Sequence, residues 1–246
     1  MKVMQINAVY DYGSTGVIVK DIDEVLQKYG YESYVAYVNC KNSPKNGYKI
    51  GNQIDYKLHA LLTRIFGKQA YFSTFKTKTF LRYIDMIKPD IIHLHNLHSN
   101  YINLNLLLRY IIKNNIKTVI TLHDCWFFTG KCFHYMTYKC NKWQTECDNC
   151  PKLKKDVPSW FFDRSRKVFI DKKRYFSQID DLVVVGVSNW ISNEAKKSFF
   201  KNKKIIAIHN GVDIDIFKPM DSNIRKKYKI EGKFVVLGMA DRKSVV

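Results

Sequence analysis

The sequence predicts an α/β fold, a doubly wound and mostly parallel sheet with helices on its faces and one cysteine-rich loop. Three observations predict it. Short apolar runs recur along most of the 246-residue chain. Most of these runs are near-continuous rather than alternating, as strands covered on both faces must be. Amphipathic stretches of helical period lie between them, and that β-α-β-α rhythm belongs to α/β sheets.

Taken in order, the first strand is KVMQINAV (2–9), followed by a helix over 16–29. ESYVAYV (32–38) is the second strand, and amphipathic stretches at 56–66 and 75–88 come next. The segment 57–88 mixes basic and aromatic residues and could lie on an anionic bilayer. The plainer expectation is two helices that each pack one face on the sheet. DIIHLH (90–95), a helix at 101–114 and KTVITLH (117–123) continue the alternation. Helices at 161–177 and 190–199 then flank DLVVVGVS (181–188), before KIIAIHN (204–210). No internal repeat or low-complexity segment interrupts the pattern.

Length allows one large domain or two small ones. A hydrophobic content of 46% with 14% aromatics is that of a globular chain rather than a disordered one. No run reaches the roughly 18 apolar residues a membrane span needs. The N-terminus MKVMQINAVYDYG reads as a strand, not a signal peptide, so a cytoplasmic setting is expected, at most peripheral to the inner membrane surface. Lys and Arg number 41 against 22 acids, a formal charge of +19. That excess suits a polyanion such as nucleic acid, an anionic membrane or phosphorylated substrates. It equally suits a lysine-rich surface with charges spread over solvated faces, since only KLKK (152–155), KNKK (201–204) and RKK (225–227) cluster.

Ligands in such sheets bind beyond the carboxyl ends of the strands. Those ends read YDYGSTG, HLHNLH, LHDCW, VSNW and HNGVD, three of the five carrying His. Gly13, Ser14, Thr15 and Gly16 sit where a strand turns into a helix N-terminus. Glycines there admit a close ligand, and free N–H groups favour a phosphate, although a bare glycine turn has the same spacing. His123 and Asp124 follow a buried strand directly. The imidazole can donate to a sugar hydroxyl or phosphate oxygen and the carboxylate can orient a hydroxyl; alternatively His123 is packed and Asp124 caps the next turn. Cys132, Cys140, Cys147 and Cys150 end in CDNCP, with Cys125 and His134 near. Four thiolates without a secretory signal suggest a structural zinc that folds a loop of low apolar content; free thiols in a long loop are the alternative. Cys40 stands apart as a small packed residue.

Taken together, PDIIHLHNLHSNYINL (89–104), TLHDCWFFTGKC (121–132), the C…KW…C…CP loop (140–151), VVGVSNW (184–190) and IIAIHNGVDIDIFKP (205–219) resemble the N-terminal domain of family 4 glycosyltransferases. The similarity is to the branch that builds bacterial surface polysaccharides, and it covers roughly residues 1–240. It implies a retaining enzyme of GT-B fold: two Rossmann-like domains, the first recognising a lipid-linked or growing glycan acceptor and the second holding the nucleotide-sugar. By that resemblance His123 and Asp124 are the catalytic pair. Gly13, Ser14, Thr15, Gly16, His95, Asn96 and Ser188 become substrate-binding residues, and no metal takes part in the chemistry. The implied organisation is an acceptor-side domain at 1–209, a linker at 210–219 and the start of the donor domain at 220–246. FVVLGMA (234–240) resembles the first strand of that second domain, yet DRKSVV follows it, so the chain is expected to lack the donor half. It would then be inactive alone or would need a separate donor-domain chain, and 220–246 would be poorly packed. Two rival readings are a zinc-stabilised basic module for nucleic acid and an acceptor-binding subunit without catalysis. Dispersed basic residues and the lack of a nucleic-acid motif argue against the first, and no nucleic-acid partner is expected.

Overall fold

Near-continuous apolar runs make strands that water cannot flank, and in the computed structural model, which describes residues 1–236, they stack side by side. The strands are β1 (Lys2–Ile6), β3 (Glu32–Tyr37), β5 (Gly47–Lys49), β6 (Ile91–Leu94), β7 (Lys117–Leu122), β8 (Leu182–Gly186) and β9 (Lys204–Ala207). Every pairing between them is parallel. A two-residue pair, β2 (Val9–Tyr10) with β4 (Asn39–Cys40), extends beyond β1 and β3. The seven-stranded order is β5-β3-β1-β6-β7-β8-β9. Counted within the sheet this is 3-2-1-4-5-6-7, the Rossmann-like winding that reverses direction beside its first strand.

The core lies along the strand rows. Met4, Ile6, Ile92, Leu94, Ile120, Leu122 and Val184 are wholly buried in one cluster. Helix α4 (Leu104–Lys113) lays Leu104, Leu107, Leu108 and Ile111 on it at helical spacing. That helix starts three residues later than the sequence suggested, because Tyr101 and Ile102 are already buried and Asn103 caps the first turn through Leu106 N–H at 3.1 Å. Helix α2 (Gln53–Phe66) opens on a reciprocal cap between Asn52 and Asp55 and stops at Gly67, whose φ of 67° suits glycine. Helix α3 (Thr74–Ile87) buries Phe80 and Ile84, so the basic-aromatic segment does form two packed helices. Helix α5 (Ser165–Ser177) begins after Asp163 accepts the Ser165 amide at 2.8 Å, which ends the expected helix four residues short at its front.

The chain divides into two compact units, Met1–Asn210 and Gly211–Val246. In the second, a single turn of helix runs over Ile224–Lys227 and the side chains of residues 211–229 are exposed. The strand expected at 234–240 runs into residues outside the described range.

Candidate active site

The sheet order reverses between β1 and β6, and a crevice opens outside the carboxyl ends of strands at such a point. β1, β6, β7 and β8 are consecutive neighbours, so four of the five sequence motifs reach one edge. Asn7, the residue after β1, ties two of them together. It is fully buried; its Oδ1 accepts the Asn96 amide at 3.1 Å and its Nδ2 donates to Val9 O at 2.8 Å and Thr15 Oγ1 at 3.4 Å. The sequence reading placed Asn7 inside the first strand. Its one available signal was a lone amide at the end of an apolar run.

Helix α1 (Gly13–Lys28) starts on the far side of this knot. Gly13 has φ +63°, and no side chain caps the helix and no acid sits in its first turn. Its first N–H groups therefore have no side-chain acceptor, which is the arrangement that suits an anionic ligand group. Gly13 and Ser14 are exposed, Thr15 is half-buried, and Gly16 is buried where an added Cβ would meet Val9 Cγ2 at 3.2 Å and the Asp11 amide nitrogen at 3.4 Å. Asp11 itself has φ +58° and is held there by Lys20 at 2.8 Å and by Asn42.

Three imidazoles run between β6 and β7. His93 Nε2 bonds Thr121 Oγ1 at 2.8 Å, the His93 and His95 rings lie 4.0 Å apart, and His95 Nδ1 is 3.1 Å from His123 Nε2. Burial pushes His123 down to about 4 and His93 to about 3, with the neighbouring His123 adding to the latter. His95, with no exposed surface, is driven well below the ordinary value for the same reason. All three are therefore neutral near pH 7. Asp124 behaves oppositely. Burial works against its charge, but the His98 hydrogen bond at 3.0 Å and the Trp126 amide at 2.8 Å outweigh it, and the carboxyl is held below the ordinary range. Asp124 thus both caps the following turn and stays ionised at the crevice edge. Beside His98 lies a cavity of ≈ 300 Å³ lined by Arg64, Gln69, Asn100 and Phe133 among others.

The structure brings the glycine turn, Asn96, His123 and Asp124 to this edge and sets two expected contacts apart. His95 touches His123 instead of open crevice, because directly after β6 its amide still pairs with Ile6 O and its ring stays wholly buried. Ser188 uses its Oγ to cap helix α6 (Asn189–Lys197) through the Ile191 amide at 3.4 Å.

The cysteine loop packs on the main core. Cys132, Cys140, Cys147 and Cys150 line one small cavity with Lys131 and Trp143, and all are free thiols. Their donor chemistry would suit zinc. Among the described residues, however, no group of three or more His, Cys, Asp or Glu side chains stands so as to hold a metal ion, and the expected structural zinc finds no support. The loop is not apolar-poor either: Trp126, Phe127, Phe128, Tyr135 and Trp143 are buried in the main core. Lys172, fully buried, donates to Trp126 O at 2.6 Å and Thr129 O at 3.1 Å, and Lys131 donates to Lys152 O and Leu153 O. Aromatic burial and lysine-to-carbonyl bonds hold this loop against the core.

The model of Glycosyltransferase Family 4 matches residues 15–216, which is most of the chain and includes Asn96, His123 and Asp124. The chain belongs to glycosyltransferase family 4. A protein of Escherichia coli (strain K12) named for colanic acid biosynthesis glycosyl transfer, WcaC, is 25% identical over 228 residues, covering 87% of this chain and 55% of its own. Among solved structures, the catalytic domain of starch synthase IV from Arabidopsis thaliana, bound to ADP and acarbose, aligns with a TM-score of 0.48 at 14% identity. That alignment covers 87% of this chain and 52% of the other. The glycosyltransferase SsfS6 of Streptomyces sp. SF2575 aligns at 0.35 and 9% identity over 78% of this chain and 51% of its own. This family 4 chain therefore spans about half the length of the relatives it matches. Among the described residues no helix is long and apolar enough to cross a membrane.

Proposed function

We propose that this family 4 chain is the acceptor-side domain of a retaining glycosyltransferase of surface-glycan biosynthesis. The enzyme moves a sugar from a nucleotide-sugar to a lipid-linked or growing polysaccharide acceptor. What supports this most is the meeting of the glycine turn, Asn96, His123 and Asp124 at the reversal point of the sheet, with His123 neutral and Asp124 ionised. The relative named for colanic acid biosynthesis supports the acceptor class. Transfer of a glycosyl group asks a protein for positioning and for stabilisation of the charge that grows on the leaving phosphate. A neutral imidazole at His123 supplies a donor without a fixed charge, Asp124 accepts from a sugar hydroxyl, and the open amides at the start of α1 face phosphate oxygens. The nucleotide-sugar itself is held by a second domain, on the same polypeptide or on a partner chain.

Exposed Trp160, Phe161 and Phe162 near Lys154, Lys155 and Arg164 support contact with an anionic membrane that carries the acceptor. Labelled-sugar transfer by the enzyme that holds both domains, onto lipid-linked saccharide in vesicles with and without anionic lipid, tests both points. His123→Ala is expected to lower the rate by about 10²–10⁴-fold, and anionic lipid to raise it. An undiminished rate in the variant would remove His123 from the chemistry, and indifference to lipid charge would remove the membrane contact.

A further inference from the structure

His123 needs a defined tautomer if it is to offer a hydrogen rather than a lone pair, and its partner decides which. The bond between His95 Nδ1 and His123 Nε2 spans 3.1 Å, so one of these two nitrogens carries the proton and the other accepts. His95 is wholly buried, and its second nitrogen, Nε2, has no hydrogen-bond partner. If His123 donated, His95 would carry its own hydrogen on that orphaned Nε2, deep in the sheet. A buried N–H without an acceptor loses the hydrogen bond it would make to water, and orphaned donors are rarer than under-used acceptors. The neighbouring His93 ring offers no relief. Its centroid is 4.0 Å away with the planes tilted by 38°, whereas an N–H lies in its own ring plane and points at an aromatic face only when the rings are near perpendicular. The His93 Nε2 is in turn occupied by Thr121 Oγ1.

We infer that His95 is a positioning residue: its Nδ1–H donates to His123 Nε2 and fixes His123 as the Nδ1–H tautomer, a neutral donor facing a ligand acceptor atom. The ligand class is a sugar hydroxyl or phosphate oxygen, and this part rests on the proposed transferase function. The tautomer does not, because it is a property of the unliganded chain. Free histidine favours the Nε2–H form, so the protein is holding His123 in the less common one. Burial keeps the pair neutral, so no protonated state competes near neutral pH. Asn at position 95 can imitate the donor, since its amide Nδ2 stands where Nδ1 stood; Leu cannot.

Nitrogen-15 spectra of the ring nitrogens, recorded on the full chain labelled at histidine, read the tautomer directly. Wild type should show His123 with a protonated Nδ1 and a bare Nε2. His95→Asn should keep that pattern, and His95→Leu should shift His123 toward the Nε2–H form, with circular dichroism confirming that the variant folds. Should His95→Leu fail to fold, wild type and His95→Asn still decide. A protonated Nε2 on His123 in wild type, or an unchanged pattern in a folded His95→Leu, overturns the inference. Either result leaves the transferase reading untouched, because no substrate is added.

Discussion

Lowering the pH from 7 to about 5.5 is expected to remove about 4 kcal/mol of folding stability from this chain. Four histidines cause it. Burial lowers His59 and His123 to about 4 and His93 to about 3, and drives His95 well below its ordinary value. Each folded pKa lies below the unfolded value of about 6.5, so the unfolded chain binds protons that the folded one refuses. Stability then falls as pH drops below about 6.5, by about 1 kcal/mol per histidine by pH 5.5. Asp124 has the opposite linkage: its depressed pKa gives stability that is present above the ordinary carboxylate value and is lost only in stronger acid. It does not offset the loss in this window. Typical domains have only about 5–15 kcal/mol in all, so this is a large share of the total. Urea unfolding at pH 7, 6.5, 6 and 5.5 measures it. A flat series would mean that these imidazoles accept protons in the folded state and that the neutral column at the site does not exist.

Alanine at Gly186 is expected to cost about 3 kcal/mol and to lower the melting temperature by about 6–12 °C. Gly186 ends β8 directly beneath helix α6. A Cβ there would stand 2.2 Å from Ser192 Oγ, 2.8 Å from the Ser192 amide nitrogen and 2.9 Å from Ile191 Cγ2. The hydroxyl can rotate away from its bond to Ile206 O at 3.3 Å, but the backbone nitrogen cannot. The whole helix must lift, and with it the Ser188 cap and the edge strand β9, whose Ile205 and Ile206 pair with β8. Calorimetry reads the shift. A melting temperature within a degree or two of wild type would show that α6 sits more loosely on the sheet than these distances imply.

Most of the six parallel strands that were legible share one trait, a near-continuous apolar run such as LVVVG that is covered on both faces. β5 escaped notice because Gly-Tyr-Lys at an edge is too short and too polar to carry that signal. The glycine turn, His123 and Asp124 were readable as candidates because their position after a strand has meaning in this fold class. His95 was read as a substrate contact for the same reason, although the strand drawn over 90–95 already ended on it, and one residue past β6 it is still wholly buried. Asn7 was hidden inside an apparent strand. In the cysteine loop CDNCP drew the eye, while the buried aromatic residues that pack the loop on the core, Trp126, Phe128 and Trp143, are spread too far apart to read as a core.

The central claim is that the edge at the β1–β6 reversal holds the acceptor. A titration of the labelled chain with short pyrophosphate-linked saccharides, soluble stand-ins for a lipid-linked acceptor, tests it most directly through backbone amide shifts. The predicted result is a contiguous set of changes at Gly13, Ser14, Thr15, Gly16, Asn96, His123 and Asp124. Changes confined to the cysteine loop or to residues 211–236, with that edge silent across the whole set at millimolar concentration, would contradict it.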